Sequence, residues 1–148
     1  MNQTLIQVIS AFLGSMGFAL LFGLRRRYLF SASLGGMLDW AVYLAARSVP
    51  LSTFLSCLSA AAFSVLYAEL LARKYKTPAT LFVVPAIIPL VPGSSLFYAM
   101  DHAVHGDMAA AGASGSETLL AALAIAAGIS FVFALRELNT KRQAKQLS

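Results

Sequence analysis

The sequence predicts an all-α integral membrane protein, a bundle of five transmembrane helices with the fourth broken at a proline/glycine motif. Three observations predict it. Composition is the first: of 148 residues, 59% are hydrophobic and 11% charged, where soluble domains are about a quarter charged, and the mean hydropathy is +0.75. The second is that basic residues punctuate apolar runs in three clusters: Arg25, Arg26 and Arg27; Arg73, Lys74 and Lys76; and Arg136, Lys141, Arg142 and Lys145. The third is Pro85-Ala-Ile-Ile-Pro-Leu-Val-Pro-Gly-Ser-Ser95, three prolines and a glycine inside an apolar stretch. In a bilayer, backbone groups freed by proline must be satisfied by protein or by water in a cavity.

The first span is expected at 5–23. It lacks the basic region that precedes the core of a secretory signal, since Met1 to Gln7 carry no charged side chain and the arginines follow the core. It is therefore expected to remain as an anchor. The second, 29–46, contains Gly35, Gly36 and Asp39 and is barely long enough to cross. Charge placement decides it: without this crossing, the first two basic clusters would lie on opposite sides of the membrane. The third, 53–72, is rich in small residues such as Ser56, Ser59, Ala60, Ala61, Ala62 and Ser64, which permit close helix packing and a possible homo-oligomer. Cys57 lies within it, reads as a small packing residue and has no second cysteine to pair with.

The fourth span is expected at 79–100 and the fifth at 119–135, joined by an outer loop whose Gly106 to Ser116 stretch reads as a flexible linker. Residues 1–148 together read as a single transmembrane domain. Five crossings with all basic clusters inside place the amino terminus outside and the carboxyl terminus in the cytoplasm. A net charge of +5 does not indicate nucleic acid, because no basic cluster is interleaved with aromatics on a soluble fold. Glu69 stands four residues before Arg73 and suits a boundary ion pair.

The fourth span holds the candidate site. Pro85, Pro89 and Pro92 are spaced by four and three, so they share a helical face and release the carbonyls of Leu81, Pro85 and Ile88. Gly93 permits a change of direction, and Ser94 or Ser95 suits an amino-terminal cap for a second half-helix through Leu96, Phe97, Tyr98 and Met100. The break falls near mid-membrane. Amides at Gly93, Ser94 and Ser95 then suit a carboxylate, carbonyls between Pro85 and Ile88 suit an ammonium group or a cation, and Tyr98 could line the path. Asp39, an ionisable group within a span, is the candidate for proton or ion coupling, although Arg47, two turns on, could also serve as its structural partner.

Other chemistry lacks support. His102 and His105 with Asp101 and Asp107 fall in an outer loop without the cysteines usual in structural metal sites, so no metal is expected. No phosphate loop or nucleophile elbow is present, and neither an enzyme nor a cofactor is expected.

The run from Val84 to Met100, followed by Gly106-Asp107 and by Ala124-Ile-Ala-Ala-Gly128, resembles the threonine/serine exporter family. It is similar to the carboxyl-terminal half of fused exporters, which also occurs as a separate small subunit. The resemblance implies export of small amino acids such as threonine and serine, or of a dicarboxylate such as succinate, driven by an ion gradient. It also implies a larger membrane subunit as partner. The competing expectation is an accessory protein that scaffolds a partner in the bilayer and moves no solute.

Overall fold

The structure, a computed structural model, describes residues 2–49 and 52–146, with side chains placed as far as residue 138. Among the described residues six α-helices and one 3-10 turn follow one another: α1 (Asn2–Leu21), α2 (Arg26–Ser48), α3 (Thr53–Tyr75), α4 (Thr80–Ile87), the 3-10 turn Ile88–Leu90, α5 (Gly93–Val104) and α6 (Met108–Gln146). The described residues contain no strand. Helices α1, α2, α3 and α6 are each long and apolar enough to cross a membrane, and the bent pair formed by α4 and α5 makes up to five. Such a chain is a multi-pass membrane protein.

Helices α2 and α3 pack on one another, α1 and α4 lie against α2, and α6 runs along both α3 and α5. Small side chains set these distances. A Cβ at Gly128 would come within 2.6 Å of the Leu58 carbonyl oxygen and 3.1 Å of the Ala61 Cβ, so α3 and α6 meet nearly backbone to backbone. At one end of the bundle, Tyr28, Tyr75 and Phe82 form an aromatic cluster with centroids 5.1 to 5.9 Å apart. The Tyr67 hydroxyl donates to the Ser31 carbonyl at 2.9 Å, tying α3 to α2.

Three local expectations are corrected. The expected linker from Gly106 to Ser116 is helical from Met108 onward, because alanine, the strongest helix former, dominates it. The Asp107 carboxylate caps the new start by accepting from the Ala110 amide at 3.0 Å. Lys141, Arg142 and Lys145 lie on this helix, but their side chains fall outside the described residues.

Glu69 pairs with Arg136 of α6, Nη1 to Oε1 2.9 Å, rather than with Arg73 on its own helix. The contact serves charge more than hydrogen bonding, since Glu69 Oε1 has no bond of good geometry. The cross-helix partner prevails because Glu69 faces the bundle, its side chain 8% exposed, whereas Arg73 is exposed. Arg136→Met should lower stability by about 1–3 kcal/mol, the range for an unsatisfied buried polar group. Thermal unfolding in detergent checks this, and adding Glu69→Met should restore most of the loss.

Third, Arg47 does not reach Asp39. Its Nη1 donates to the Thr53 hydroxyl at 2.9 Å, clasping the end of α2 to the start of α3.

Candidate functional site

The chain between Ile87 and Gly93 cannot continue as an α-helix, because Pro89 and Pro92 lack the amide hydrogens that would bond back to Pro85 and Ile88. It tightens instead. The Ile88 carbonyl accepts from the Val91 amide at 3.2 Å, and the Gly93 amide donates to the Val91 carbonyl at 2.7 Å. The axis bends by 48° between the two arms. Of the expected free groups, the Ile88 carbonyl and the Gly93 amide are thus already engaged. Helix α5 begins at Gly93 with Pro92 at the cap and no side-chain cap bond, so neither Ser94 nor Ser95 caps it. The serines instead occupy the first turn, where backbone amides have no partner within the helix.

A cavity of about 130 Å³ opens at this bend. Pro89, Pro92, Ser94 and Ser95 line one side, Trp40 and Tyr43 of α2 and Thr53 and Cys57 of α3 a second, and Glu117 and Ala121 of α6 a third. The volume lies below the roughly 300–1,000 Å³ of pockets that take drug-sized ligands, so it fits only a small solute. Trp40 and Tyr43 stack at 4.9 Å between ring centroids, and the buried Trp40 indole N–H has no acceptor.

Charges of both signs stand around the cavity. Glu117 lines it, and Arg47 holds its wall residue Thr53. Both lie within electrostatic reach of Tyr43 and Cys57.

The other predicted positions are distributed differently. Pro85 is buried behind the bend and Ile88 is partly covered. Gly93 is exposed, and Tyr98 is 54% exposed on α5, packed on Phe97 and near His102. None of the four lines the cavity. Asp39 is fully buried, and the Ser64 hydroxyl of α3 stands within hydrogen-bonding reach of its carboxyl.

Sequence reasoning missed Trp40, Tyr43, Thr53, Cys57 and Glu117 as lining residues. A local signal existed for two of them, since Trp40 and Tyr43 are three residues apart and share a face of α2 with Gly36. His105 is bound to its own helix, with Nδ1 2.8 Å from the Asp101 carbonyl oxygen and 3.5 Å from its carboxylate.

The family model described as Threonine/Serine exporter, ThrE, matches residues 7–135. No curated protein and no solved structure matches the chain.

Proposed function

Because the chain belongs to the threonine/serine exporter family, we propose that it is one subunit of a secondary transporter that exports a small zwitterionic amino acid such as threonine or serine. The observation that carries the substrate class is the cavity at the bend, with Glu117 on one wall and the start of α5 on another. Orphaned amides at Ser94 and Ser95, at the positive end of the α5 dipole, suit a carboxylate. Glu117 suits an ammonium group. It would repel the second carboxylate of succinate, so the amino acid is favoured over the dicarboxylate.

In this reading α4 and α5 form the two arms of one broken membrane span, with the break near mid-depth. The protein then crosses the bacterial inner membrane five times, amino terminus outside and carboxyl terminus in the cytoplasm. An ion gradient drives efflux, with Asp39 as the coupling group. A larger subunit of the same family completes the path, because this chain's cavity is small and walled by only four of its helices.

Efflux of labelled threonine, serine and succinate from cells expressing the chain with and without its candidate partner tests the proposal. Threonine and serine efflux should rise when both are present, and Glu117→Gln should reduce it about tenfold, the equivalent of ~1.4 kcal/mol of binding. Unchanged efflux of all three solutes would remove the transporter subunit, and a rise in succinate alone would remove the zwitterion.

A further inference from the structure

Thr77 stands in the turn between α3 and α4, and its hydroxyl oxygen is buried without a hydrogen-bond partner. Buried polar atoms are rarely left so. The residue borders a cavity of about 290 Å³ that is also lined by Gly23, Leu24, Arg25, Tyr28 and Leu81. Leu24 and Leu81 line a second cavity as well, of about 250 Å³, together with Phe22, Thr80, Val84 and Pro85. The two cavities therefore adjoin. The first carries a guanidinium and a hydroxyl, while the second is mostly apolar and lies about one turn deeper along α4.

Aromatic contacts gather positive charge at this corner. Tyr28 of α2 meets Tyr75 of α3 edge-on at 5.1 Å between centroids, so the clusters Arg25 to Arg27 and Arg73 to Lys76 share one end of the bundle. A third cavity bordering Thr77 carries Arg73, Lys76 and Arg136. Glu69 and Glu137 are the acidic residues toward this end; neither lines these cavities, and Glu69 is bound to Arg136. Helix α2 also begins against the usual electrostatic preference. Arg25 stands at its cap without a side-chain cap bond, and Arg26 and Arg27 follow in the first turn, where the helix dipole favours anions. Arg27 is turned onto the Tyr28 ring, 4.5 Å from its centroid. Arg25 and Arg26 have no ion-pair partner among the described residues.

We propose that this corner binds one anionic phospholipid, with its phosphate between the Arg25 guanidinium and the Thr77 hydroxyl and an acyl chain in the apolar cavity along Leu24, Leu81 and Val84. A phosphate accepts charge-assisted bonds from a guanidinium and a further bond from the orphaned hydroxyl. It also supplies the counter-charge that the start of α2 lacks. Basic pockets between membrane helices take anionic headgroups in this manner. A zwitterionic lipid brings its own ammonium group among the arginines and lysines, so it is disfavoured. Free phosphate would leave the adjoining apolar cavity unused.

The site stands apart from the export reading, and its binding is measured without transport. Native mass spectrometry of the full chain, released from a neutral detergent, counts the molecules bound as dioleoylphosphatidylglycerol, dioleoylphosphatidylcholine or soluble glycerol phosphate is titrated. The first phosphatidylglycerol should bind at least tenfold tighter than either of the others. Arg25→Gln and Thr77→Val should each weaken that first binding about tenfold, and Val84→Trp, which fills the apolar cavity, should weaken it as well. Lys74→Gln removes a charge at the same end but outside the three cavities, and should leave the first binding unchanged.

Equal affinity for the two lipids overturns the site, and so does glycerol phosphate binding as tightly as phosphatidylglycerol, which would leave the chain no part in it. A loss in Lys74→Gln as large as in Arg25→Gln would overturn it too, since a diffuse field of charge would then account for the binding. If Arg25→Gln does not fold, Thr77→Val decides: it nearly keeps the side-chain shape and removes a hydroxyl that has no partner, and unchanged first binding in it is the overturning result.

Discussion

Replacing Pro89 and Pro92 together with alanine is expected to cut solute efflux by tenfold or more while the protein still inserts and assembles. Alanine restores the two missing amide hydrogens, so residues 89 and 92 can bond the carbonyls of Pro85 and Ile88 as in an unbroken helix. The Ile88 carbonyl then exchanges its present 3.2 Å partner, the Val91 amide, for residue 92. The bend of 48° relaxes, and α5 no longer begins at Gly93. Its first-turn amides at Ser94 and Ser95 become internal bonds of a continuous helix and cease to be available to a carboxylate. Stability should not fall, because two prolines are removed from positions that could be helical. Efflux assays alongside a quantified membrane fraction separate the outcomes. Full efflux with a straightened span would remove the bend from the mechanism, and loss of assembly would point to a scaffold.

Gly128→Leu should have the largest effect on stability. A Cβ already meets the Leu58 carbonyl oxygen at 2.6 Å and the Ala62 amide nitrogen at 3.2 Å, and backbone atoms cannot rotate aside as a flexible side chain can. Helices α3 and α6 must separate, at a cost of about 1–3 kcal/mol from overpacking alone, with further loss as the Ala61 contact opens. Gly112→Ala and Gly115→Ala, on the same helix with no neighbour within 4 Å of the added carbon, should instead stabilise by up to about 1 kcal/mol each. Thermal unfolding of the three variants checks this. Equal midpoints would mean that α3 and α6 are not held by close approach.

How far these features were legible in the sequence follows from the range of the forces that set them. Helix type follows from apolar runs of bilayer length, four of them or up to five able to cross, and the interruption at Pro89 and Pro92 from the missing amide hydrogens of proline, both local. The helical start of α6 was missed because Gly, Ser and Ala together read as a linker, although alanine dominates and Asp107 supplies a cap. Partner choice was the harder matter. Glu69 had an arginine four residues away on its own helix, yet the pair forms with Arg136, distant in sequence. Arg47 likewise turns to Thr53, because the end of α2 lies beside the start of α3. The cavity wall was half legible: Pro89, Pro92, Ser94 and Ser95 are one motif, whereas Trp40, Thr53 and Glu117 come from three other helices whose meeting no local pattern encodes.

Helix α6 has 39 residues, which at 1.5 Å per residue makes a rod about 58 Å long, nearly twice the ~30 Å of hydrocarbon it would cross. It contains no proline. Glu117 at the cavity and Arg136 at the ion pair with Glu69 sit on this single stiff element, about 28 Å apart. Whatever tilts the rod to widen or narrow the cavity must also strain or relieve that ion pair, since no joint lies between them to absorb the motion. The two ends of the protein are geared together by one continuous shaft.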